Sequence, residues 1–304
     1  MKVFLNNYLK IFTMKRLTTL FLVMMFALPL LAQNLPAKLE ELTAPDFLKA
    51  VQKSDSVCVI PIGVLEKHGP HLPLGTDILA ARNLVELAVF QEYAVIFLSY
   101  IFSQIFEAKH QPGTIAYSQE LIWKVLQETC DELARNGFRK IVLVSWHGGN
   151  NNFLPFFCQS QLSQRRNYVV VNYTADPAAE YVEEINKAYQ PEANGHAGQT
   201  ETSVMLAIHP ELVKQELAAT QSGKDHHQIE NPDGGYAGIW WFGKYPNHYA
   251  GDGSIANKEF GELLQKADVK KLAQFLKEIK QNCSLQKVQN EFYDKAENPL
   301  KTRQ

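Results

Sequence analysis

The sequence is poor in cysteine, with four in 304 residues. Cys58, Cys130, Cys158 and Cys283 show no short paired spacing, so we interpret them as free thiols, most of them buried in the core. Export of the chain would permit a disulfide. The sequence does not select the partners of such a bond.

The sequence also lacks a long block of basic residues, and its formal net charge is only -2. Nucleic-acid binding normally needs clustered lysine and arginine to neutralise phosphates, so we expect no nucleic acid as a partner. No internal repeat or low-complexity tract stands out. The length suits one large core, and a small-molecule substrate is compatible with this composition.

The most apolar segment lies at the amino terminus. Met-Lys-Arg at residues 14–16 precedes an apolar run over residues 17–32, and two polar residues follow. This pattern predicts a signal peptide over residues 1–32, with Met14 as an alternative start. The other interpretation is an uncleaved anchor, but the run is short for a spanning helix of about 20 residues. We therefore expect an exported protein, periplasmic or extracellular, with no stable membrane insertion after signal cleavage.

The rest of the chain alternates between strand-like and helix-like hydrophobic patterns. Short apolar or β-branched runs predict strands, and the longer segments between them carry an apolar stripe at helical spacing. This alternation implies an α/β fold, a doubly wound, mostly parallel sheet flanked by helices. Strands are predicted over residues 57–63, 93–98, 140–145 and 168–173, and helices over residues 42–52, 78–90, 118–136, 153–165, 176–189, 201–207 and 257–282.

The division into domains follows from this pattern. Residues 33–283 are expected to form one α/β domain, and residues 284–304 a charged C-terminal tail. Residues 231–253 are rich in glycine, proline and aromatic residues and are too irregular for a core element. A loop of that composition predicts a lid or a pocket wall.

The first cluster of ligand-type side chains follows the first predicted strand. Glu66 and His68 are two residues apart, so on an extended segment they project from the same side. Turns at residues 69–70 and 73–75 fold the chain back and bring Asp77 beside them. Isolated groups at strand ends are commonly just hydrogen-bonded surface groups. Because three ligand-type residues rarely gather around two turns, we interpret Glu66, His68 and Asp77 as metal ligands.

Two later clusters are candidates to complete the site. His147 follows another predicted strand, and Gly148 and Gly149 leave room for a substrate to approach closely. His196 and Glu201 lie five residues apart, where a loop meets the first turn of a helix. Both residues are interpreted as a metal ligand or a catalytic base, and the alternative for the Glu201 carboxylate is a helix cap. Nitrogen and oxygen donors of these types suit a divalent metal, namely zinc, manganese or iron.

Other residues are weaker candidates. His71 either orients a ligand or closes its turn. The run Lys-Asp-His-His at residues 224–227 has no apolar strand beside it, so we interpret it as a solvated loop outside the site. The remaining candidates, for substrate contact or for core packing, are His110, Trp240, Trp241, His248 and Asp252.

Three motifs carry a resemblance to a known family. Residues 61–77 resemble the opening signature of the creatininase family, residues 147–150 its second signature, and residues 196–203 its third. Pro-Gly-Thr at residues 112–114 and the region 251–261 are also in order. The resemblance implies a doubly wound α/β fold, frequently in a hexamer and hence a homo-oligomer. It also implies a two-metal centre that hydrolyses a C–N bond of a small cyclic or formyl amide.

The resemblance further implies how the residues share two ions. Glu66, Asp77 and His147 would hold one ion, and His68 with a bridging Asp77 would hold the other, which Glu201 is our candidate to complete. Creatininase itself carries a further ligand glutamate two residues after the second-signature histidine, where this chain has Gly149. This departure puts creatinine in doubt as the substrate.

We therefore expect an exported metal-dependent amidohydrolase in which two metal ions activate a water molecule for attack on a carbonyl carbon. His196 is expected to protonate the leaving nitrogen, because an imidazole exchanges protons near neutral pH. The alternatives are a hydrolase of a sugar- or cyclitol-derived ring, a non-catalytic metal-dependent binding protein, and a membrane-tethered structural protein. Metal content without hydrolysis would indicate the binding protein, and an uncleaved, metal-free chain the tethered one.

Overall fold

A computed structural model describes residues 35–230 and 232–303. The predicted signal peptide, residues 1–32, lies outside the described residues. The chain from Ala37 onward forms one compact unit. Within the described ranges, no helix combines the length and the apolar character needed to cross a membrane.

The sheet consists of four parallel strands, β1 (Val57–Ile62), β2 (Val95–Ile96), β3 (Lys140–Ser145) and β4 (Val169–Tyr173). Their order across the sheet is β2-β1-β3-β4. β1 pairs with β3 along its whole length, from Val57 opposite Lys140 to Ile62 opposite Ser145. The predicted doubly wound, parallel sheet is confirmed.

Strand β2 is much shorter than the predicted segment, residues 93–98. Only two residues, Val95 and Ile96, keep a regular ladder with β1. Beyond them, the Phe97 N–H still donates to the Val59 carbonyl and the Tyr100 N–H to the Pro61 carbonyl. The chain therefore continues beside β1 in an irregular path that leads into the site.

The described residues form thirteen regular elements, which are the four strands and nine α-helices. Their bounds are α1 Ala44–Lys53, α2 Thr76–Gln91, α3 Gln119–Arg135, α4 Asn150–Ser160, α5 Val182–Ala188, α6 Gln199–Ile208, α7 Trp240–Lys244, α8 Lys258–Gln281 and α9 Ser284–Ala296. Short 3-10 turns lie at Leu39–Glu41, Gln161–Ser163, Ala179–Tyr181, Pro191–Ala193, Pro210–Leu212, Gln215–Thr220, Gly253–Ile255 and Pro299–Lys301.

Both faces of the sheet are buried. Since side chains alternate along a strand, Val57 and Val59 of β1 point to one face, where α2 and α8 cover them through Val85 and Leu272. The alternate residues of β1 and β3 point to the opposite face and are equally inaccessible to solvent; they are Cys58, Ile60, Ile141 and Leu143. Strands buried on both faces read as continuous apolar runs, which is why the sequence pattern predicted them.

The strand order determines where a ligand site can form. Crossovers between parallel strands are right-handed, so the connection from β1 to β2 and the connection from β3 to β4 lie on opposite faces of the sheet. β1 and β3 are neighbours in the sheet, and the connections that follow them run to opposite faces of it. A crevice therefore opens beyond their carboxyl ends, the point at which doubly wound sheets bind ligands.

Three predicted segments differ from the structure. The helix expected over residues 176–189 is regular only at α5, and a 3-10 turn at Ala179–Tyr181 precedes it. The irregular segment at residues 231–253 contains the short helix α7. The segment expected to be a charged tail forms α9, in which Tyr293 is buried and its hydroxyl donates to the Gln161 carbonyl at 2.8 Å.

Gly63, directly after β1, lies against the first turn of α2. A Cβ at this position would come within 2.6 Å of the Asp77 carbonyl carbon and 2.7 Å of the Ile78 Cα. Because backbone atoms cannot move aside cheaply, Gly63→Ala should lower the free energy of unfolding by about 1–3 kcal/mol. Chemical denaturation measures this difference. Gly75→Ala is the matched control, since its Cβ would meet nothing closer than Leu65 at 3.9 Å, and an equal effect of the two substitutions would contradict the prediction.

Candidate metal centre

The candidate centre lies in the crevice beyond β1 and β3. The loop after β1 carries Glu66 and His68, and it folds back so that the Glu66 N–H donates to the Leu74 carbonyl at 3.1 Å. This return places Asp77 in the first turn of α2, where the helix dipole favours a negative charge. His147 comes directly after β3. All four of these side chains are buried.

Glu66, Asp77 and His147 form one group of ligand atoms that all lie within 4.8 Å of one another. His147 Nδ1 is 2.8 Å from Glu66 Oε1 and 3.1 Å from Asp77 Oδ2. These are the three residues that the resemblance assigns to the first ion. The structure brings them together from two loops.

The hydrogen bonds around His147 show that this group fits a cation. His147 Nε2 lies 2.8 Å from the Gln104 carbonyl oxygen, which can only accept, so Nε2 carries the proton. In the neutral ring, Nδ1 then carries no proton, and its lone pair faces two carboxylates. Among the described residues, Glu66 Oε1 and Asp77 Oδ2 have no hydrogen-bond donor, although both are buried. Buried charges need a partner. A proton on the ring or a metal ion among these atoms supplies it.

His68 is held in the same way on the other side of Asp77. Its Nδ1 lies 3.2 Å from the Glu66 carbonyl oxygen, which leaves Nε2 facing Asp77 Oδ1 at 3.0 Å. Glu201 Oε2 is 3.9 Å from the same Nε2. Asp77 therefore offers one carboxylate oxygen to His147 and the other to His68, as a carboxylate that bridges two ions would.

His196 and Glu201 reach the centre from the start of α6. Ala197 between them has a left-handed backbone, with φ of 58°. Glu201 Oε2 accepts the Ala197 N–H at 2.6 Å, so the side chain acts as the predicted alternative, a helix cap, while it also faces His68. His196 Nε2 lies 2.7 Å from the Lys67 carbonyl, and its Nδ1 is 4.0 Å from Glu201 Oε2.

The electrostatics of the centre favour positive charge. Burial lowers the pKa of the His68 imidazole, but the carboxylates of Asp77, Glu66 and Glu201 outweigh that effect and raise the pKa to about 10. The pKa of His147 is likewise raised, since Glu66 and Asp77 overcome the cost of its burial. Burial raises the pKa of Glu201, and Asp77 adds to this effect. A centre that attracts protons so strongly when it lacks a metal will also attract divalent ions.

His248 is the residue whose place in the centre sequence reasoning missed, since it stood only as a candidate for substrate contact. It is buried, and its Nε2 hydrogen-bonds Glu66 Oε2. The Trp241 indole N–H donates to its Nδ1 at 2.8 Å. Burial lowers the pKa of His248 to about 4. Its position in an irregular loop gave no periodic signal.

The other candidates lie at the margin of the centre or outside it. His71 Nε2 bonds Thr202 Oγ1 at 2.8 Å and so ties its turn to α6, and His110 Nε2 bonds the Pro246 carbonyl at 2.8 Å. The Asp252 carboxylate caps Ser254. Among the described residues, His226 and His227 belong to no group of candidate ligands. The four cysteines are free thiols, as expected.

A cavity of about 1100 Å³ opens over the centre. Glu66, His147, His196 and Glu201 lie on its floor, and one wall is aromatic. That wall consists of Tyr236, Trp240, Trp241 and Phe242, so both tryptophans face the cavity rather than the core, and His248 lies beside them. The segment predicted to be a lid or pocket wall is therefore a wall of this cavity.

The opposite side of the cavity explains why position 149 is glycine. A Cβ there would clash first with His147 Nε2 and would also come within 2.6 Å of both Gln104 Oε1 and Glu107 Oε1. Gln104 Nε2 donates to Glu107 Oε2 at 2.7 Å, so its Oε1 points the other way, and it is buried without a partner. The space that a longer side chain at 149 would need is filled from the loop after β2. Glu107 escaped sequence reasoning because it lies in an irregular stretch.

Comparisons with known proteins show what the chain is similar to. Residues 40–276 match the family model described as Creatininase: Creatinine amidohydrolase. The chain is 26% identical to creatinine amidohydrolase from Pseudomonas putida, covering 78% of this chain and 95% of that protein. It is 30% identical to a mycofactocin precursor peptide peptidase from Mycolicibacterium smegmatis, over 51% of this chain and 59% of that one. A solved structure named Creatininase Mn superposes with a TM-score of 0.64 at 24% identity, covering 80% and 98% of the two chains.

Proposed function

Because the chain belongs to the creatininase family of metal-dependent amidohydrolases, we propose that the centre holds two divalent ions and hydrolyses a C–N bond of a small cyclic or formyl amide. One observation carries this proposal. Three carboxylates and two imidazoles converge from the loops after β1 and β3 and from the first turns of α2 and α6. Among the described residues, two of the buried carboxylate oxygens lack a hydrogen-bond donor, and one nitrogen of each ring is already bonded to a carbonyl oxygen.

The residues divide naturally between two ions. Glu66, Asp77 and His147 would hold the first, and His68, Asp77 and Glu201 the second, with Asp77 shared. A pair of divalent ions held here supplies Lewis acidity, which lowers the pKa of a water molecule and polarises an amide carbonyl. Manganese and zinc are the ions we favour, since these donors are imidazoles and carboxylates.

His196 is our candidate to protonate the leaving nitrogen. Its Nε2–H donates to the Lys67 carbonyl, so the ring is oriented and Nδ1 remains free to take up and release a proton. It lies on the floor of the cavity with Glu201 beside it. This arrangement suits proton transfer to a nitrogen at the cavity floor.

The cavity also indicates the kind of amide. Its aromatic wall would pack against a ring or another flat group. Glu107 also lines the cavity, and its carboxylate is an acceptor that matches N–H or O–H donors on the substrate. A cavity of about 1100 Å³ has room for groups beyond a small cyclic amide. The pattern at residues 14–32 further supports the proposal that the enzyme acts after export, and the family resemblance supports a homo-oligomer.

Metal analysis and a substrate screen test this proposal together. We expect two equivalents of manganese or zinc per chain, and hydrolysis of a member of a panel of cyclic amides, formyl amides and lactones. Chelator should abolish that hydrolysis and lower the thermal stability, by about 2.7 kcal/mol for each site that had been at 100 times its Kd. Readdition of metal should restore both properties.

Two results would overturn it. Tight metal binding with no hydrolysis across the panel would favour a binding protein that uses the aromatic wall to hold a ligand. Hydrolysis that survives complete removal of metal would refute the two-metal assignment.

A further inference from the structure

His248 joins the aromatic wall to a candidate metal ligand through hydrogen bonds whose direction is determined. The indole N–H of Trp241 can only donate, so His248 Nδ1 accepts it. The proton of the neutral His248 ring is then on Nε2, which donates to Glu66 Oε2. A chain of two hydrogen bonds therefore runs from Trp241 through His248 to Glu66.

The backbone of His248 is held in an uncommon conformation. Its φ is 53°, in the left-handed region that non-glycine residues rarely adopt, and the residue is 1% exposed. Its N–H donates to the Tyr245 carbonyl at 2.9 Å. A strained, buried polar residue whose two ring nitrogens both have partners is typical of a functional position.

The hydrogen bond from His248 makes the two oxygens of the Glu66 carboxylate different. Oε2 is occupied by the His248 N–H, whereas Oε1 has no donor and lies 2.8 Å from His147 Nδ1. We therefore assign Oε1, the oxygen that faces His147, to the first ion. His248 itself is unsuitable as a ligand, although it lies close enough to Glu66 and His196 to be grouped with them, because its Nε2 carries the proton.

We propose that His248 is a positioning residue that fixes the Glu66 carboxylate for the first ion and couples it to the aromatic wall. This inference rests on the proposed function. Trp241 lines the cavity, and its ring lies 6.0 Å from that of His196, whose ring in turn lies 4.3 Å from that of His248. A substrate that packs against Trp241 would therefore hold the indole, His248 and Glu66 in one arrangement.

Two substitutions at position 248 separate hydrogen bonding from packing. Glutamine can accept the Trp241 N–H through its oxygen and donate to Glu66 through its amide, whereas leucine can do neither. We expect His248→Leu to weaken one of the two metal sites by about 10- to 100-fold, and His248→Gln to retain most of the affinity. Calorimetric titration of chelator-treated protein with Mn²⁺ measures both values.

The indole provides a matched pair of variants. Trp241→Phe keeps an aromatic ring but removes the donor, so it should weaken the same site, though less than His248→Leu. Trp240→Phe changes the neighbouring wall residue, which makes no hydrogen bond to His248, and should leave the titration unchanged. In the metal-free protein, Glu66→Gln should shift the NMR resonance of the Trp241 indole N–H.

Equal losses in His248→Leu and His248→Gln, with both variants folded by circular dichroism, would overturn the proposal, because packing alone would then explain them. Unchanged affinity in His248→Leu would overturn it as well, and so would an indole resonance that does not respond to Glu66→Gln. A wild-type chain that binds no Mn²⁺ would instead refute the proposed function, and the indole resonance would still decide whether His248 connects Trp241 to Glu66.

Discussion

Asp77→Asn should remove bound metal and activity together, with a fall in kcat/KM of roughly 10⁴-fold, about 5.5 kcal/mol of transition-state stabilisation. The reason is the position of Asp77 between two imidazoles, with Oδ2 at 3.1 Å from His147 and Oδ1 at 3.0 Å from His68. Asparagine keeps the shape but replaces one charged oxygen with an N–H₂ donor. That donor repels a cation at one site, and the amide oxygen that remains at the other site carries no negative charge, so both sites are weakened at once.

Metal analysis by mass spectrometry and steady-state kinetics measure the two effects in one preparation. Asp252→Asn is the matched control, since that carboxylate caps Ser254 and, within the part of the chain that the structure describes, belongs to no candidate ligand group. It should keep both ions. A folded Asp77→Asn protein with two ions and wild-type turnover would rule out a bridging role for Asp77.

His196→Ala should have the second-largest effect, and of a different kind. We expect kcat to fall by about 10²- to 10⁴-fold while both ions stay bound, because the side chain moves a proton and does not hold metal in our assignment. One ring nitrogen of His196, Nε2, is already bonded to the Lys67 carbonyl. His196 also lies close enough to Glu66 and to Glu201 to be grouped with them as a candidate ligand, so the variant's metal content separates the two roles.

The metal content of His196→Ala must therefore be measured together with its kcat, because it distinguishes a proton-transfer role from a ligand role. His209→Ala serves as the control, because His209 is partly exposed and pairs only with Glu211. Loss of an ion in His196→Ala would make this residue a ligand. Full turnover with both ions in place would show that the leaving nitrogen takes its proton from another group.

Much of the centre could be predicted from the sequence because its ligands are local. Glu66, His68 and Asp77 lie within twelve residues, and the turns between them are encoded by glycine and proline. His147 follows a strand whose apolar run is unmistakable, since both faces of a parallel sheet are buried. The rule that sites form beyond the carboxyl ends of strands then places these residues together.

The fold followed from the same short-range information, and its errors are instructive. β2 was overestimated because an apolar segment can run beside a neighbouring strand without a regular ladder, as residues 97–100 do. The segment expected to be a charged tail formed α9 because a charged helix needs only a few buried contacts, such as that of Tyr293, to pack on the domain. Composition alone does not reveal such contacts.

The amino-acid sequence by itself determined the alternating strands and helices, the crevice at the end of the sheet and the ligand types within it, because periodicity and turn chemistry act over a few residues. Tertiary structure alone decided that His248 bonds Glu66, 182 residues away in the chain. It also decided that Gln104 and Glu107 occupy the space beside Gly149. These contacts depend on how irregular loops pack against one another, and no local pattern of residues encodes that packing.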